Sequence, residues 1–159
     1  MYKIAVIFDQ KLYSGGGYKQ SINMLNLLKK FPKSKYSFTL YTTILRNKFK
    51  FKDNYFQFKY LKSSIIARLI SKIKINPRFV LISNILELLF PVNLLEKELE
   101  FDEIDLVFFI TPSNLAYDLY KLNYIYTIWD LCHLDNPEFP EIRFNNQFEI
   151  REKLYSKVL

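Results

Sequence analysis

Two short segments hold the residue types whose spacing could do chemistry. The first is Ser14-Gly15-Gly16-Gly17. Its three glycines are all that the 159 residues contain, where a chain of this size ordinarily carries about 7%. Backbone freedom is therefore demanded at one place. Between a strand and a helix, free N–H groups and the positive end of the helix dipole can receive an anion. Glycine lets a phosphate or a sugar approach the backbone without a Cβ in the way. The competing reading is a flexible turn that binds nothing. The second segment is Trp129-Asp130-Leu131-Cys132-His133-Leu134-Asp135, with Asn136-Pro137-Glu138-Phe139-Pro140-Glu141 after it. Asp130 is expected at the carboxyl end of a strand, where it would act as a general base or orient a substrate hydroxyl. As a structural residue it would be a turn or a cap. His133, the single histidine, fits a contact to phosphate or hydroxyl, or a structural hydrogen bond.

Several chemistries are disfavoured by what is missing. Positions 15–20 read GGGYKQ, so the last glycine of a dinucleotide fingerprint is absent. The second strand ends in Thr42-Thr43 rather than in the acid that would hold a ribose. The Gly-Lys-Ser/Thr of a phosphate-binding P-loop is absent as well. One histidine, one cysteine and scattered carboxylates lack a metal-ligand pattern, so no metal and no cofactor is expected. Cys132 alone allows no internal disulfide and reads as a small core residue.

Charge divides the chain. Residues 1–80 hold 17 Lys/Arg against Asp9 and Asp53, while residues 81–159 hold 6 against 14 acids. That asymmetry fits a polyanionic partner, namely nucleic acid, an acidic membrane surface or a phosphorylated substrate. It fits equally a solvated lysine-rich surface. Ser63–Ile75 places Arg68, Lys72 and Lys74 opposite Ile65, Ile66, Leu69, Ile70 and Ile73. This is the pattern of an amphipathic basic helix, whose basic side suits an acidic membrane surface or a phosphorylated substrate. No secretory signal and no run of about 18 apolar residues occurs, so a cytoplasmic chain, peripheral at most to the inner face of the plasma membrane, is expected. Nucleic acid is an unfavoured partner, because the aromatics fall within strand and helix patterns and no recognised motif is present.

The elements that must position these segments alternate. Lys3–Asp9 is a short apolar run, as in a strand buried on both faces. Tyr18–Phe31 has helical spacing and stops at Pro32. Ser37–Thr43 and Tyr55–Leu61 read as strands flanking a basic turn at Lys48–Lys52. Pro77 suits a helix start, and 79–99 reads as two helices or one kinked at Pro91. Asp105–Ile110 and Tyr124–Trp129 are further strands, with Ser113 capping a short helix between them. A last helix begins near Phe144 and runs to Leu159 without a stop signal. The alternation predicts one α/β domain, Rossmann-like, with a mainly parallel sheet and helices on both faces.

At the second segment the chain resembles family 4 glycosyltransferases of the GT-B type, those that build surface glycans. The opening strand Ile4–Phe8, the glycines and the helix Tyr18–Phe31 are similar to the start of their first domain. Thr127-Ile128-Trp129-Asp130-Leu131 resembles their T-V-H-D-L segment. Pro137–Glu141, with Arg151-Glu152 and Tyr155, resembles the Pro-Glu loop and the Arg-Glu helix that come after that segment in the family. Trp129 departs from the pattern, standing where the family has histidine. The resemblance implies an amino-terminal, acceptor-side domain spanning 1–159, without the carboxyl-terminal domain that would hold most of a nucleotide-sugar donor. It implies half of a retaining hexosyltransferase, inactive by itself, acting on a glycan or lipid-linked acceptor in polysaccharide synthesis. Asp130 and His133 would then be catalytic, Gly15, Gly16, Gly17 and Trp129 would touch substrate, and the basic helix with Arg68, Lys72 and Lys74 would face the membrane or a diphosphate-linked lipid acceptor. The alternative is a non-catalytic α/β module whose glycines bind phosphate.

Overall fold

The structure, a computed structural model, describes all residues except 10, 12–14, 46, 48–52, 54, 63 and 90–93, and leaves the side chains of Ser64, Ala67, Arg68, Glu87, Leu94 and Asp118 undescribed. Ser14, the basic turn at Lys48–Lys52, Pro91 and the Arg68 side chain thus lie outside the described residues.

Five strands form one sheet: β1 (Tyr2–Ile7), β2 (Tyr36–Thr42), β3 (Gln57–Tyr60), β4 (Leu106–Phe109) and β5 (Asn123–Tyr126). Their order is β3-β2-β1-β4-β5, and every pairing is parallel. The fold is therefore α/β and Rossmann-like. The chain moves outward from β1 to β3 and then crosses to β4 on the other side of β1. This reversal makes β1/β4 the topological switch point, outside whose carboxyl ends such sheets bind ligands.

The helices are α1 (Gly15–Leu28), α2 (Ser64–Ile75), α3 (Val80–Leu89), α4 (Leu94–Phe101), α5 (Cys132–Asp135), α6 (Pro140–Arg143) and α7 (Gln147–Val158). Alternate residues of the central strands feed two cores. Val6, Phe8 and Leu40 pack with Leu25 and Leu28 of α1 on one face. Ala5, Ile7, Val107 and Phe109 pack with Ile75, Leu95, Leu99, Leu154 and Tyr155 from α2, α4 and α7 on the other. Beyond α1, the first face leaves Leu106, Phe108 and Ile125 along an apolar trough of about 580 Å³.

Local differences from the expected elements have visible causes. The glycines are the first turn of α1 rather than a turn before it. The Lys29 amide still bonds four residues back to Leu25, but those of Lys30 and Phe31 bond only three back, to Leu27 and Leu28, and the helix gives way to a tight turn ahead of Pro32. β5 stops at Tyr126, not Trp129. Its neighbour β4 ends at Phe109, whose carbonyl accepts the Thr127 N–H at 3.1 Å, the last bond available. Asp130 accordingly lies four residues past the strand, in a loop, and not at the strand end. Ser113 caps as expected, its Oγ accepting from Leu115 N at the start of the turn Asn114–Asp118. Asn76 caps Pro77–Phe79, with Pro77 in the first turn.

Candidate functional site

The carboxyl ends of β1, β2 and β4 meet at one carboxylate. Asp9, two residues beyond β1, accepts a hydrogen bond from Thr43 Oγ1, just past β2. Its other oxygen accepts from Ser113 Oγ, past β4, at 3.1 Å. The Ser113 amide donates to the Tyr126 hydroxyl at 3.1 Å, which carries the chain of contacts to the end of β5. Burial raises the pKa of that phenol well above its ordinary value, so Tyr126 stays protonated. Thr111, wholly buried beside this cluster, has a hydroxyl with no hydrogen-bond partner among the described residues.

The glycine-led start of α1 lies against Trp129. Gly15 takes φ +68°, the left-handed region that favours glycine. A Cβ on Gly17 would fall 2.4 Å from Trp129 Cη2, whereas one on Gly16 would meet nothing within 4 Å among the described residues. The space that Gly17 leaves is filled by the edge of an indole. Trp129 in turn forms one wall of a cleft of about 530 Å³ on the carboxyl side of the sheet. Pro112 and Asn114 after β4, Tyr126 of β5, and Gln147, Arg151 and Tyr155 of α7 line it, with Lys72 and Asn76 at the end of α2. Asn145, also in the lining, and Asn146 both adopt φ 57°, a left-handed pair that breaks the chain before α7. Asparagine tolerates this conformation better than other side chains.

Asp130 projects into the cleft. Its Oδ1 accepts from the Cys132 amide at 3.2 Å and from Arg151 Nη1 at 3.3 Å. Hydrogen bonds from Cys132, side chain and amide, together with the Arg151 guanidinium hold its carboxyl below the usual carboxylate range. The same Asp130 contact pushes the Cys132 thiol up. Asp130 is thus an ionised acceptor with a cation beside it, well suited to orient a hydroxyl and poorly suited to take a proton at neutral pH.

His133 is brought to the same segment but not to the cleft. It is fully buried. Its Nε2 lies 2.9 Å from Glu152 Oε1, and its ring packs edge-on against Phe148 and Tyr155. It therefore ties α5 to α7 and packs on Tyr155, which lines the cleft. The basic set also separates. Lys72 is exposed at the cleft, but Lys74 is buried, so the expected shared basic face is corrected. α2 turns Ser71, Lys74 and Ile75 inward and Ile65, Ile66 and Leu69 outward. Among the described residues no group of His, Cys, Asp and Glu is arranged to hold a metal ion, and no helix is long and apolar enough to cross a membrane.

Sequence reasoning missed Asp9, Thr43 and Ser113. A signal for Asp9 existed, since it ends the first apolar run at the side where α/β ligands bind. Nothing in the sequence pairs Asp9 with Ser113, 104 residues away. No family model matches the chain, and no curated protein and no solved structure matches it.

Proposed function

We propose that the chain is the acceptor-side, Rossmann-like half of a GT-B sugar transferase, working with a donor-binding domain to move a hexose from a nucleotide-sugar onto a glycan or lipid-linked hydroxyl at the cytoplasmic face. The observation that carries this reading is the composition of the cleft beside Trp129 and Asp130. Its wall combines aromatic rings (Tyr126, Trp129, Tyr155) with amide and charged side chains (Asn76, Asn114, Gln147, Lys72, Asp130, Arg151). A sugar presents C–H faces that stack on rings, and hydroxyls that both donate and accept, so this mixture matches it. A bare phosphate site at the glycines would need N–H groups converging on the anion, and here the α1 start faces an indole.

In this reading Asp130 accepts a hydrogen bond from an acceptor hydroxyl and fixes its direction. Arg151 supplies positive charge at the cleft edge, where a leaving diphosphate would be neutralised without a bound metal. His133 is a positioning residue, holding the Trp129–Asp130 segment against α7 through Glu152. The test is ligand-observed NMR with simple methyl glycosides and with uridine diphosphate. Weak saturation transfer from a glycoside, lost in Asp130→Ala and in Trp129→Ala, is expected. Transfer from uridine diphosphate alone would favour the phosphate-binding module. No glycoside signal, or one indifferent to both substitutions, would reject the reading.

A further inference from the structure

The helical hairpin α2–α3 is built with its apolar side outward. α3 packs chiefly on α2 and on the connecting turn Pro77–Phe79, standing off the sheet. Ser83, buried on α3, donates from Oγ to the Lys74 carbonyl. The opposite stripe is bare: Leu81 and Leu88 are 80% and 81% exposed, with Ile85 between them at helical spacing. α2 adds Ile65, Ile66 and Leu69, each more than half exposed. Scattered apolar residues on a surface need no explanation, but this many on two packed helices form a patch of the kind that marks an interface.

The charges around the patch select the occupant. Between residues 62 and 89 there are five Lys/Arg and a single acid, Glu87. Lys62 before α2, Lys72 in its last turn and Arg78 in the connecting turn are exposed. We infer that the hairpin lies in the surface of an anionic bilayer, its leucines and isoleucines in the acyl boundary and its cations among the headgroup phosphates. An apolar helix face rimmed by basic residues is the design of an in-plane interfacial helix, and each basic residue near such a surface adds attraction. α3 has ten residues, about 15 Å of helix, half of what crossing a bilayer takes; it lies on the membrane rather than through it. Lys72 and Asn76 belong both to this hairpin's end and to the cleft wall, so docking would open the cleft at headgroup level. That last consequence rests on the sugar-transfer reading; the docking itself does not.

The experiment is co-sedimentation of the full chain with vesicles of phosphatidylglycerol mixed into phosphatidylcholine, and of phosphatidylcholine alone, at low and high salt. Wild type is expected to bind the anionic vesicles. Leu81→Ser with Leu88→Ser should weaken the partition by about tenfold or more at either salt. Lys62→Gln with Arg78→Gln should remove part of the anionic preference, and the remainder should respond less to salt. Both pairs alter exposed side chains, and unchanged thermal unfolding will confirm that they fold. Failure of wild type to bind anionic vesicles, or binding indifferent to the leucine substitutions, overturns the inference. A dimer in sedimentation equilibrium that the leucine substitutions dissociate would also overturn it, giving the surface to a second copy.

Discussion

Gly16 and Gly17 are adjacent, in the same turn of α1, and should respond to alanine with opposite signs. In a helix alanine is favoured over glycine by up to about 1 kcal/mol. At Gly16 nothing among the described residues lies within 4 Å of an added Cβ, so Gly16→Ala should collect part of that gain. At Gly17 the new methyl would sit 2.4 Å from Trp129 Cη2, 3.1 Å from Cζ3 and 3.2 Å from Cζ2. Carbon atoms rest about 3.5–4.0 Å apart, so the indole must retreat by roughly 1 Å or more. An indole is rigid and has no flexible tip to bend aside. Forcing a methyl into such a contact costs about 1–3 kcal/mol, which outweighs the helix gain. Gly17→Ala should therefore unfold at lower urea than Gly16→Ala by an amount equivalent to about 2 kcal/mol. Gly15→Ala should also lose stability, but by strain at φ +68°, worth about 1–2 kcal/mol. Trp129 is the single tryptophan, so its emission separates the causes: only Gly17→Ala should shift it. If Gly17→Ala is as stable as Gly16→Ala and leaves the emission unchanged, the indole does not occupy the α1 start, and Gly17 must be explained otherwise.

Substitutions at two further residues test what holds the strands in place. Glu96 is buried on α4, and one of its oxygens accepts the backbone N–H groups of Tyr120, Lys121 and Leu122 at 2.7–3.0 Å. Glu96→Ala should orphan the three amides leading into β5 and cost about 3 kcal/mol, while Glu96→Gln, which keeps an acceptor oxygen, should cost clearly less in the same urea titration. Asp102 accepts from the buried Tyr41 hydroxyl at 2.6 Å and from Lys59 Nζ at 2.8 Å. Burial works to raise its pKa, but these two hydrogen bonds outweigh it and hold the carboxyl below its ordinary value. A depressed native pKa gives stability that is present above the unfolded-state value and lost as pH falls through the native one. Asp102→Asn should therefore be about 1–3 kcal/mol less stable than wild type near neutrality, with the gap closing in acid; a gap constant from about pH 6 to about pH 2 would refute the linkage.

β1 and β4 were legible because parallel strands in the middle of a sheet read as short apolar runs, whereas β2 and β3 were legible from their alternation and β-prone residues. Their ends were less legible because a ladder stops where its neighbour stops. Nothing within Tyr124–Trp129 shows that β4 runs out at Phe109. The glycines were visible as a special site, but the reason differs at each, and for Gly17 it is an indole far along the sequence. His133 stands out as the one histidine. Its burial between Phe148 and Tyr155 depends on how α5 meets α7, which local pattern does not encode. Asp130 is visible in its own segment, but its partner Arg151 comes from a different helix.

α2 shows most sharply where periodicity alone misleads. Its spacing correctly marks an amphipathic helix, and the ordinary inference turns the isoleucines toward the core. The inward stripe is instead Ser71, Lys74 and Ile75, at positions i, i+3 and i+4, with the Lys74 carbonyl accepting from Ser83 and from Lys153 Nζ at 2.5 Å. A helical period reports that two faces differ; it does not report which face meets protein. The core beneath α2 is already filled by Leu95, Leu99 and Leu115, and Ile65 and Ile66 stay outside it. A hairpin that buries a lysine and two serines while exposing Leu81 and Leu88 is poorly matched to water. Its apolar period becomes physically consistent once the outward side faces lipid, and the basic residues at its ends then fall where the headgroups lie.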